Sequence, residues 1–343
     1  TAKEVRNVAE LVDPVGQIIE TNTLTNGLVM EKKRVPLGVI GSIYESRPNV
    51  TVDIASLCIK SGNACLLRGG KESLYSNTAL IHLIQQGIEE SGLPIESVQF
   101  IDNPDRDLVT AMLNMKEYIN LLIPRGGSGL VNFVGRNATM PVVTGGVGVC
   151  HTYVDSHADL EKARKIIFNA KVQRPTVCNA LDAIIVHKDI APAILPSLAQ
   201  ELCSAGVELR CDARAIAMVG PAQSLNVIPA NSEDWGTEFL SLVAAVRVVD
   251  SLQDALDHIE KYGSGHSEAI VTEDTTSGER FLNEVDAAAV YLNASTRFTD
   301  GSQFGLGAEV GISTQKFHAR GPMGLAELTS HKWVIKGSGQ IRE

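Results

Sequence analysis

Short apolar runs alternate with helix-forming segments along most of the chain, and this alternation limits the folds that it can adopt. The predicted strands and helices of the first half are, in chain order, 37–44, 50–60, 64–68, 73–91, 97–101, 105–115 and 118–123. Strands that are apolar along their whole length and are spaced by helices are typical of a parallel sheet covered on both faces. The pattern therefore predicts an α/β fold.

The alternation starts again near residue 145, which is where we expect a second domain to begin. Its predicted strands and helices are 149–155, 158–170, 251–262, 268–272, 275–285 and 288–293. A chain of 343 residues is long enough for about two domains. Ahead of both, residues 16–34 alternate in polarity around a Thr-Asn-Gly turn and predict a β-hairpin.

Composition and charge exclude several classes of protein. The formal net charge is −10 and no long basic run occurs, which argues against a nucleic-acid partner. No stretch approaches 18 apolar residues and the N-terminus has no apolar signal core, so we expect no membrane segment. The six cysteines form no C-x-x-C pair, which fits a reducing compartment and predicts a cytoplasmic location. Without H-E-x-x-H or clustered histidines, we predict no metal site.

Two glycine-rich turns each follow a predicted strand and precede a predicted helix. They are "LLRGGKES" at 66–73 and "IPRGGSGL" at 123–130. Backbone N–H groups at such turns suit a phosphate, and at one sheet edge the two turns would line a nucleotide crevice. The alternative is a plain strand-to-helix turn with solvated charges. Neither the Rossmann G-x-G-x-x-G nor the P-loop signature occurs.

Cys178 lies in "KVQRPTVCNA", a polar loop rather than an apolar run. A free cysteine is most often a small buried side chain, and that alternative stays open on local grounds. Arg174, four residues earlier, would favour the thiolate if it lay close to the sulfur. A reactive thiol together with a bound nucleotide would indicate acyl-thioester and hydride chemistry.

Four long stretches carry a family resemblance: "VPLGVIGSIYESRPNVTVDIASLCIKSGNACLLRGGKES", "NLLIPRGGSGL", "QRPTVCNA" and "VYLNASTRFTDGSQFGLGAEVGISTQKFHARGPMGL". Through them the chain resembles the glutamate-5-semialdehyde dehydrogenases, also called gamma-glutamyl phosphate reductases, a branch of the aldehyde dehydrogenase superfamily. The resemblance implies an aldehyde dehydrogenase-like α/β fold with two parallel-sheet domains and a small oligomerisation hairpin. The implied domains are an NADP(H)-binding domain at 1–144 including the hairpin at about 16–34, a catalytic domain at 145–328 and a C-terminal oligomerisation strand at 329–343.

The resemblance also implies a reaction and its residues. The reaction is NADPH-dependent reduction of L-gamma-glutamyl 5-phosphate to L-glutamate 5-semialdehyde through a cysteine thioester, with release of phosphate, as the second step of proline synthesis. Cys178 matches the catalytic cysteine. The cofactor-binding candidates are Arg68, Lys71, Gly127, Ser128 and Glu238. The implied partners are a second copy of the chain, in a homodimer or larger assembly, and glutamate 5-kinase, which would hand over the substrate.

Two departures from other aldehyde dehydrogenases matter. Val143 stands in place of the glutamate that activates a hydrolytic water, which argues against an oxidising, hydrolytic semialdehyde dehydrogenase. Other aldehyde dehydrogenases have an asparagine whose side chain donates to the oxyanion. An ungapped alignment to their sequence pattern, counted back from Gly62, places Glu45 at that position. Asn49 can serve as the oxyanion donor only if the loop is shifted relative to that alignment. Because the substrate carries a carboxylate and a phosphate, Arg47, Arg297 and Arg320 are the substrate-binding candidates, with a solvated surface position as the alternative for each. An acyl-thioester transferase and an inactive binding subunit are the alternatives from other classes.

Overall fold

The computed structural model describes residues 2–45, 47–145, 147–220, 226–317 and 319–342. The chain divides into two compact units, Thr1–Thr144 with Gly301–Glu343 and Gly145–Asp300. Residues 301–328 belong to the first compact unit, because Val310, Met323 and Leu328 are buried in the same apolar core as the first sheet. The division into a nucleotide-binding domain at 1–144, a catalytic domain at 145–328 and an oligomerisation strand at 329–343 stays a prediction.

The first unit contains the N-terminal elements and the last three strands. Its elements are α1 (Ala2–Glu10), β1 (Ile18–Thr23), β2 (Val29–Pro36), β3 (Val39–Tyr44), α2 (Pro48–Lys60), β4 (Ala64–Arg68), α3 (Leu74–Glu90), β5 (Val98–Phe100), α4 (Asp107–Leu113), β6 (Leu121–Arg125) and α5 (Ser128–Asn137), followed after residue 300 by β14 (Ile312–Ser313), β15 (Gly321–Pro322) and β16 (Thr329–Lys336). Strands β14 and β15 pair antiparallel.

Four of these strands form a parallel sheet in the order β5-β4-β3-β6. The chain moves outward from β3 through β4 to β5, and then returns to place β6 on the other side of β3. The strand order therefore reverses between β3 and β6. In open parallel sheets, ligands bind beyond the carboxyl ends of the strands at such a reversal. Arg68, Arg125 and Tyr44 are the last residues of their strands, so both glycine-rich turns lie at this edge.

The predicted hairpin exists and forms a separate three-stranded sheet, β1-β2-β16. Gly27 has φ +84 at its turn, a conformation that favours glycine. The C-terminal strand β16 pairs antiparallel with β2 of the same chain, from Thr329 opposite Pro36 to Lys336 opposite Val29. Strand β1 forms one edge of this sheet, and all six of its residues are exposed.

The second unit is a seven-stranded parallel sheet in the order β10-β9-β11-β8-β7-β12-β13. Its elements are β7 (Cys150–Val154), α6 (Leu160–Val172), β8 (Leu181–His187), α7 (Ala191–Ser204), β9 (Glu208–Cys211), α8 (Ala213–Val219), β10 (Val227–Pro229), β11 (Val243–Val249), α9 (Leu252–Tyr262), β12 (Ser267–Val271), α10 (Thr275–Glu284) and β13 (Ala289–Leu292). Every residue of the central strand β8 is buried, as expected for a sheet covered on both faces. In the described part of the chain, no helix is long and apolar enough to cross a membrane.

Candidate active site

Cys178 lies in the loop between α6 and β8, at the amino edge of the second sheet. Asp159 caps the start of α6 by accepting hydrogen bonds from the backbone N–H groups of Glu161 and Lys162. The helix ends at Val172, just before Pro175, because the residue preceding a proline is disfavoured in helical conformation. The chain then turns through Cys178 into β8, and the cysteine is left half-buried.

The backbone of Cys178 is held tightly from one side. The Cys150 thiol donates a hydrogen bond to the Cys178 carbonyl oxygen across 3.2 Å. Gly148 lies against the same carbonyl so closely that a Cβ atom on it would collide with the oxygen. Only glycine permits this approach of two backbone segments. Gly148 and Cys150, at the start of β7, therefore fix the backbone position of Cys178.

The next residue, Asn179, is buried and fully engaged in anchoring the loop 295–300. Its Nδ2 donates to the Thr299 carbonyl at 2.8 Å, and its own carbonyl accepts from Thr296 Oγ1 at 2.8 Å. Its Oδ1 accepts a hydrogen bond from the Arg297 guanidinium. The side chain of Asn179 thus holds Arg297 next to the cysteine.

Arg297 is half-buried, and burial lowers the pKa of its guanidinium, as does the nearby charge of Arg174. Asp300 and the Cys178 thiol act in the opposite direction and favour the charged guanidinium. Arg297 therefore places a cation beside the candidate nucleophile.

Four of the other five cysteines have raised pKa values. Burial raises the pKa of Cys150, and that of Cys211 to about 12. Burial also raises the pKa of the half-exposed Cys203. The pKa of Cys58 is raised mainly by its hydrogen bond with Cys65 and, to a smaller extent, by burial. Thiols of this kind stay protonated and unreactive at neutral pH.

Glu238 reaches the same neighbourhood from the segment that precedes β11. Its Oε1 accepts a hydrogen bond from the Gly148 N–H at 2.9 Å, and burial raises its pKa. The following N–H, of Phe239, donates to Asp182 at 3.2 Å, and Asp182 also pairs with the buried Lys171 at 3.4 Å. Burial raises the pKa of Asp182 to about 6, against the opposing effect of Lys171. This ion pair anchors the segment that carries Glu238.

In the first unit, Arg68 lies at the carboxyl end of β4 and reaches the loop before α4. Its Nη2 donates to the Pro104 carbonyl at 2.9 Å, while its buried Nε has no hydrogen-bond partner among the described residues. Burial lowers the pKa of Arg68, and the positive charge of Arg106 lowers it further, against the opposing effect of Glu72. The guanidinium groups of Arg68 and Arg106 thus lie near each other, and the Nε–H of Arg68 is a donor without a partner among the described residues. Sequence reasoning missed Arg106.

The second glycine-rich turn is engaged by a carboxylate. Glu45, directly after β3, accepts a hydrogen bond from the Gly127 N–H at 2.9 Å. The carboxylate also lies against Gly126, so a Cβ atom at that position would displace the Glu45 side chain. The carboxylate thus occupies the start of α5 at Ser128, a position where helix N–H groups favour an anion.

The remaining candidates are distributed over the first unit. Asn49 is exposed on the first turn of α2 and donates to Asp53 at 3.0 Å. Lys71 and Arg47 are exposed, and Arg320 is half-buried. Val143 is only 7% exposed and packs in the apolar core of the first unit. Among the described residues, no group of His, Cys, Asp and Glu side chains could hold a metal ion.

With this geometry in hand, comparison with known proteins identifies the family. The sequence profile of the aldehyde dehydrogenase family matches residues 1–225. The chain belongs to the aldehyde dehydrogenase family. Members of this family use nicotinamide nucleotides, whose chemistry is hydride transfer.

Relatives within the family extend over nearly the whole chain. A gamma-glutamyl phosphate reductase of Dehalococcoides mccartyi is 62% identical over 341 residues, covering 99% of this chain and 80% of the relative. One from an Enterobacter species is 55% identical, with 99% and 82% covered. The crystal structure of gamma-glutamyl phosphate reductase from Thermotoga maritima superposes with a TM-score of 0.96 at 51% identity, covering 99% of this chain and 81% of that one. The aldehyde dehydrogenase-like α/β fold expected from the sequence is thereby confirmed.

Proposed function

We propose that this protein reduces gamma-glutamyl phosphate to glutamate 5-semialdehyde with NADPH, through a thioester on Cys178 and with release of phosphate. The observation that carries the proposal is the 62% identity, over 99% of the chain, to a gamma-glutamyl phosphate reductase. The half-buried Cys178 beside Arg297 supports it, because acyl transfer from an anionic substrate needs both a thiolate and a cation.

The residues of the first unit suit a phosphorylated nucleotide. Arg68 and Arg106 lie near each other, and the buried Arg68 Nε has no partner among the described residues, as expected where an anion would complete the site. We assign these two arginines and Lys71 to the 2′-phosphate of NADPH, and Gly127 and Ser128 to its diphosphate. The Glu45 carboxylate must leave Gly127 for that to occur. The nucleotide supplies the hydride.

The role of Glu238 follows from its position beside Gly148. One of its oxygens is engaged by the Gly148 N–H, which holds the carboxylate near the Cys178 loop. We assign Glu238 to the nicotinamide ribose. The Lys171–Asp182 pair then serves to fix this segment. The first unit is thus proposed to hold the nucleotide, and the second to carry the nucleophile.

The chain's own part in the reaction starts at sulfur. The Cys178 thiolate attacks the acyl carbonyl, and the Cys178 backbone N–H stabilises the oxyanion that forms. Asn49 is the proposed second donor, and its amide must first release Asp53. Phosphate departs as a stable anion and leaves an acyl group on sulfur. Arg47, Arg297 and Arg320 are proposed to bind the carboxylate and phosphate of the substrate. After reduction, the thiohemiacetal collapses to the aldehyde and the thiolate returns.

We further propose that the protein is at least a homodimer and assembles through the sheet β1-β2-β16. Ile18 and Ile19 on β1, and Trp333 and Ile335 on β16, are exposed at this sheet. An exposed edge strand with apolar side chains favours pairing with another copy. Glutamate 5-kinase is the proposed supplier of the acyl phosphate. A cytoplasmic location agrees with the six free cysteines.

The experiment that tests the proposed reaction follows NADPH absorbance with gamma-glutamyl phosphate formed in situ from glutamate and ATP. We expect NADPH consumption that depends on the acyl phosphate and releases phosphate. An acyl-thioester transferase would show no NADPH binding in a titration. An inactive subunit would show no rapid alkylation of Cys178. Either result, or NADPH consumption without phosphate release, would contradict the proposal.

A further inference from the structure

The side chain of Thr299 joins three parts of the second unit. Thr299 is fully buried and directly follows the short 3-10 helix Thr296–Phe298. Its Oγ1 lies 2.7 Å from Oγ of Ser267, at the start of β12, and 2.7 Å from the hydroxyl of Tyr291, on β13. Because a threonine hydroxyl has one hydrogen to donate and two lone pairs to accept with, it can make both hydrogen bonds at once. The hydroxyl therefore ties the segment 295–300 to two neighbouring strands.

The backbone of Thr299 holds the residue that follows the candidate nucleophile. Its carbonyl oxygen accepts a hydrogen bond from Nδ2 of Asn179 at 2.8 Å. The Oδ1 atom of Asn179 in turn accepts from the guanidinium of Arg297, two residues before Thr299. The same short segment thus carries the Arg297 cation and the carbonyl that fixes the amide holding this cation beside Cys178.

The Ser267 partner belongs to the buried network that reaches Cys178 from the other side. Oγ of Ser267 lies 2.8 Å from Nδ1 of His266, and burial lowers the pKa of His266 to about 4, so that the ring is neutral at pH 7. The same Nδ1 lies 3.9 Å from Sγ of Cys150, whose thiol donates to the Cys178 carbonyl oxygen. The hydrogen bonds therefore form a closed circuit, which leaves Cys178 through Cys150 and returns through Thr299 to the residue next to it.

A buried threonine elsewhere in the same sheet shows that this arrangement is particular to Thr299. Thr152, on β7, is also fully buried, but its Oγ1 has no hydrogen-bond partner among the described residues. A hydroxyl in a protein interior is unfavourable unless it is hydrogen-bonded. The Thr299 hydroxyl has two partners, and its loss would leave the buried Ser267 and the half-buried Tyr291 without their common contact.

We infer that Thr299 is a positioning residue for the proposed reaction, whose buried hydroxyl fixes the segment 295–300 and thereby sets where the Arg297 guanidinium lies relative to Cys178. The inference deepens the proposed function and rests on it, since it takes Cys178 as the nucleophile. Thr299 acts through Asn179 and Arg297, and not on the substrate itself.

Alkylation of Cys178 tests this inference without an assay of reduction. Iodoacetate carries a negative charge and iodoacetamide does not, so the ratio of their rate constants depends on the cation beside the sulfur. Mass spectrometry of the peptide that contains Cys178 separates its modification from that of the half-exposed Cys203. Arg297→Met provides the ratio expected when the cation is absent.

Three variants decide between positioning and simple packing. Thr299→Val keeps the shape of the side chain and should lower the iodoacetate to iodoacetamide ratio by about fivefold, towards the value of Arg297→Met. Thr299→Ser keeps the hydroxyl and should retain most of the wild-type ratio. Thr152→Val is the matched control and should leave the ratio unchanged, because the hydroxyl that it removes has no partner among the described residues.

Reduction kinetics provide a second readout that a packing role alone would not move. Because Arg297 is proposed to bind an anionic group of the substrate, Thr299→Val should raise KM for the acyl phosphate by about fivefold, with a smaller change in kcat. Thermal melts establish that each variant is folded. If Thr299→Val is not, Tyr291→Phe provides the test, since it removes one of the two partners of the Thr299 hydroxyl and should lower the alkylation ratio in the same direction.

Four results would overturn the inference. The first is a wild-type alkylation ratio in folded Thr299→Val, and the second is the same ratio in Tyr291→Phe where that variant provides the test. The third is an equal loss in Thr299→Val and Thr299→Ser, which would mean that the hydroxyl is not the cause. The fourth is a wild-type ratio in Arg297→Met, which would show that the guanidinium does not act at the sulfur. A wild-type protein that consumes no NADPH with the acyl phosphate would contradict the proposed function alone, because the alkylation ratio does not depend on reduction.

Discussion

The Cys150 thiol donates a hydrogen bond to the carbonyl oxygen of Cys178 across 3.2 Å. Cys150 is fully buried at the start of β7, and burial raises its pKa, so that it remains a protonated donor. Its sulfur also lies 3.9 Å from Nδ1 of His266, whose ring contacts the Ser267 hydroxyl at 2.8 Å. One cysteine therefore orients the peptide of the other, and does so from within a buried polar network.

Replacing Cys150 should affect turnover more than substrate affinity. A neutral hydrogen bond contributes about 1 kcal/mol, so Cys150→Ala should lower kcat by about fivefold while KM for the acyl phosphate changes by less than about twofold. Cys150→Ser retains a donor and should recover most of the loss. Cys211→Ala, at a buried thiol of β9, should reduce the melting temperature without this effect on kcat. Equal kcat values for the alanine and serine variants would contradict the positioning role.

Cys178→Ala should abolish reduction, because it removes the covalent route as a whole and not a fraction of a barrier. The matched control is Cys203→Ala, at the other half-exposed cysteine, which should keep wild-type turnover. Steady-state rates and the rate of alkylation by iodoacetamide measure both variants. More than a few per cent of wild-type turnover in folded Cys178→Ala would show that another nucleophile exists.

Gly148→Ala should be among the most damaging small substitutions in the second unit. The added methyl group collides with the Cys178 carbonyl, so the backbone that holds both Cys178 and the Glu238 contact must move. We expect a loss of kcat/KM of at least about a hundredfold, which corresponds to about 2.7 kcal/mol. Gly87→Ala is the control, since a Cβ there meets open space on the exposed face of α3 and should stabilise the protein by about 0.5–1 kcal/mol. Similar activity of the two variants would exclude the tight packing around Cys178.

Arg106→Ala and Arg68→Ala should each weaken NADPH binding far more than NADH binding. A charge-assisted hydrogen bond contributes about 1.5–3 kcal/mol, so the NADPH dissociation constant should rise by about 10- to 150-fold. Arg136→Ala, an exposed arginine in the last turn of α5, should change neither constant. Equal losses for NADPH and NADH, measured by titration, would show that these arginines bind a part common to both nucleotides.

The sequence predicted several strands and helices almost to the residue. Strand 64–68 matches Ala64–Arg68, and the helix predicted at 251–262 matches Leu252–Tyr262. The region 181–249 received no assignment from the sequence. Its first strand contains Asp182, and a carboxylate inside a buried strand is understandable only once Lys171, on the preceding helix, is seen to pair with it.

The part of the site that is contiguous in sequence could be predicted, whereas the part that folding brings together from distant residues could not. The loop around Cys178 could be recognised from the sequence, because its residues are contiguous. Arg106 could not, since it stands between Asp105 and Asp107 and only the folding of β4 against the following loop brings it near Arg68. The same holds for Glu45 and Gly127, which are 82 residues apart in sequence and joined by a 2.9 Å hydrogen bond.

In the reverse direction, oxidation of glutamate 5-semialdehyde should stop at the Cys178 thioester unless phosphate is present. A hydrolytic dehydrogenase releases the acyl group with water activated by a glutamate, and such general-base help is typically worth about 10²–10⁴ in rate. In this chain Val143 stands at the position expected for that glutamate, and it packs in an apolar core. This position therefore contains no general base that could activate water. We therefore expect phosphate to attack the thioester, guided by the arginines that are proposed to bind the acyl phosphate.

The measurement is NADPH formation from the semialdehyde in phosphate-free buffer. We expect a burst of about one NADPH per active site followed by near-arrest, as for a stalled covalent intermediate. Added phosphate, or arsenate as its mimic, should restore steady turnover. Val143→Glu should not create a hydrolytic route, because a carboxylate buried in this core costs several kcal/mol and should instead lower the melting temperature. Sustained turnover of the wild-type protein without phosphate, at a rate similar to that with phosphate, would mean that another residue activates water, and the proposed reductase would have to be replaced by a hydrolytic dehydrogenase.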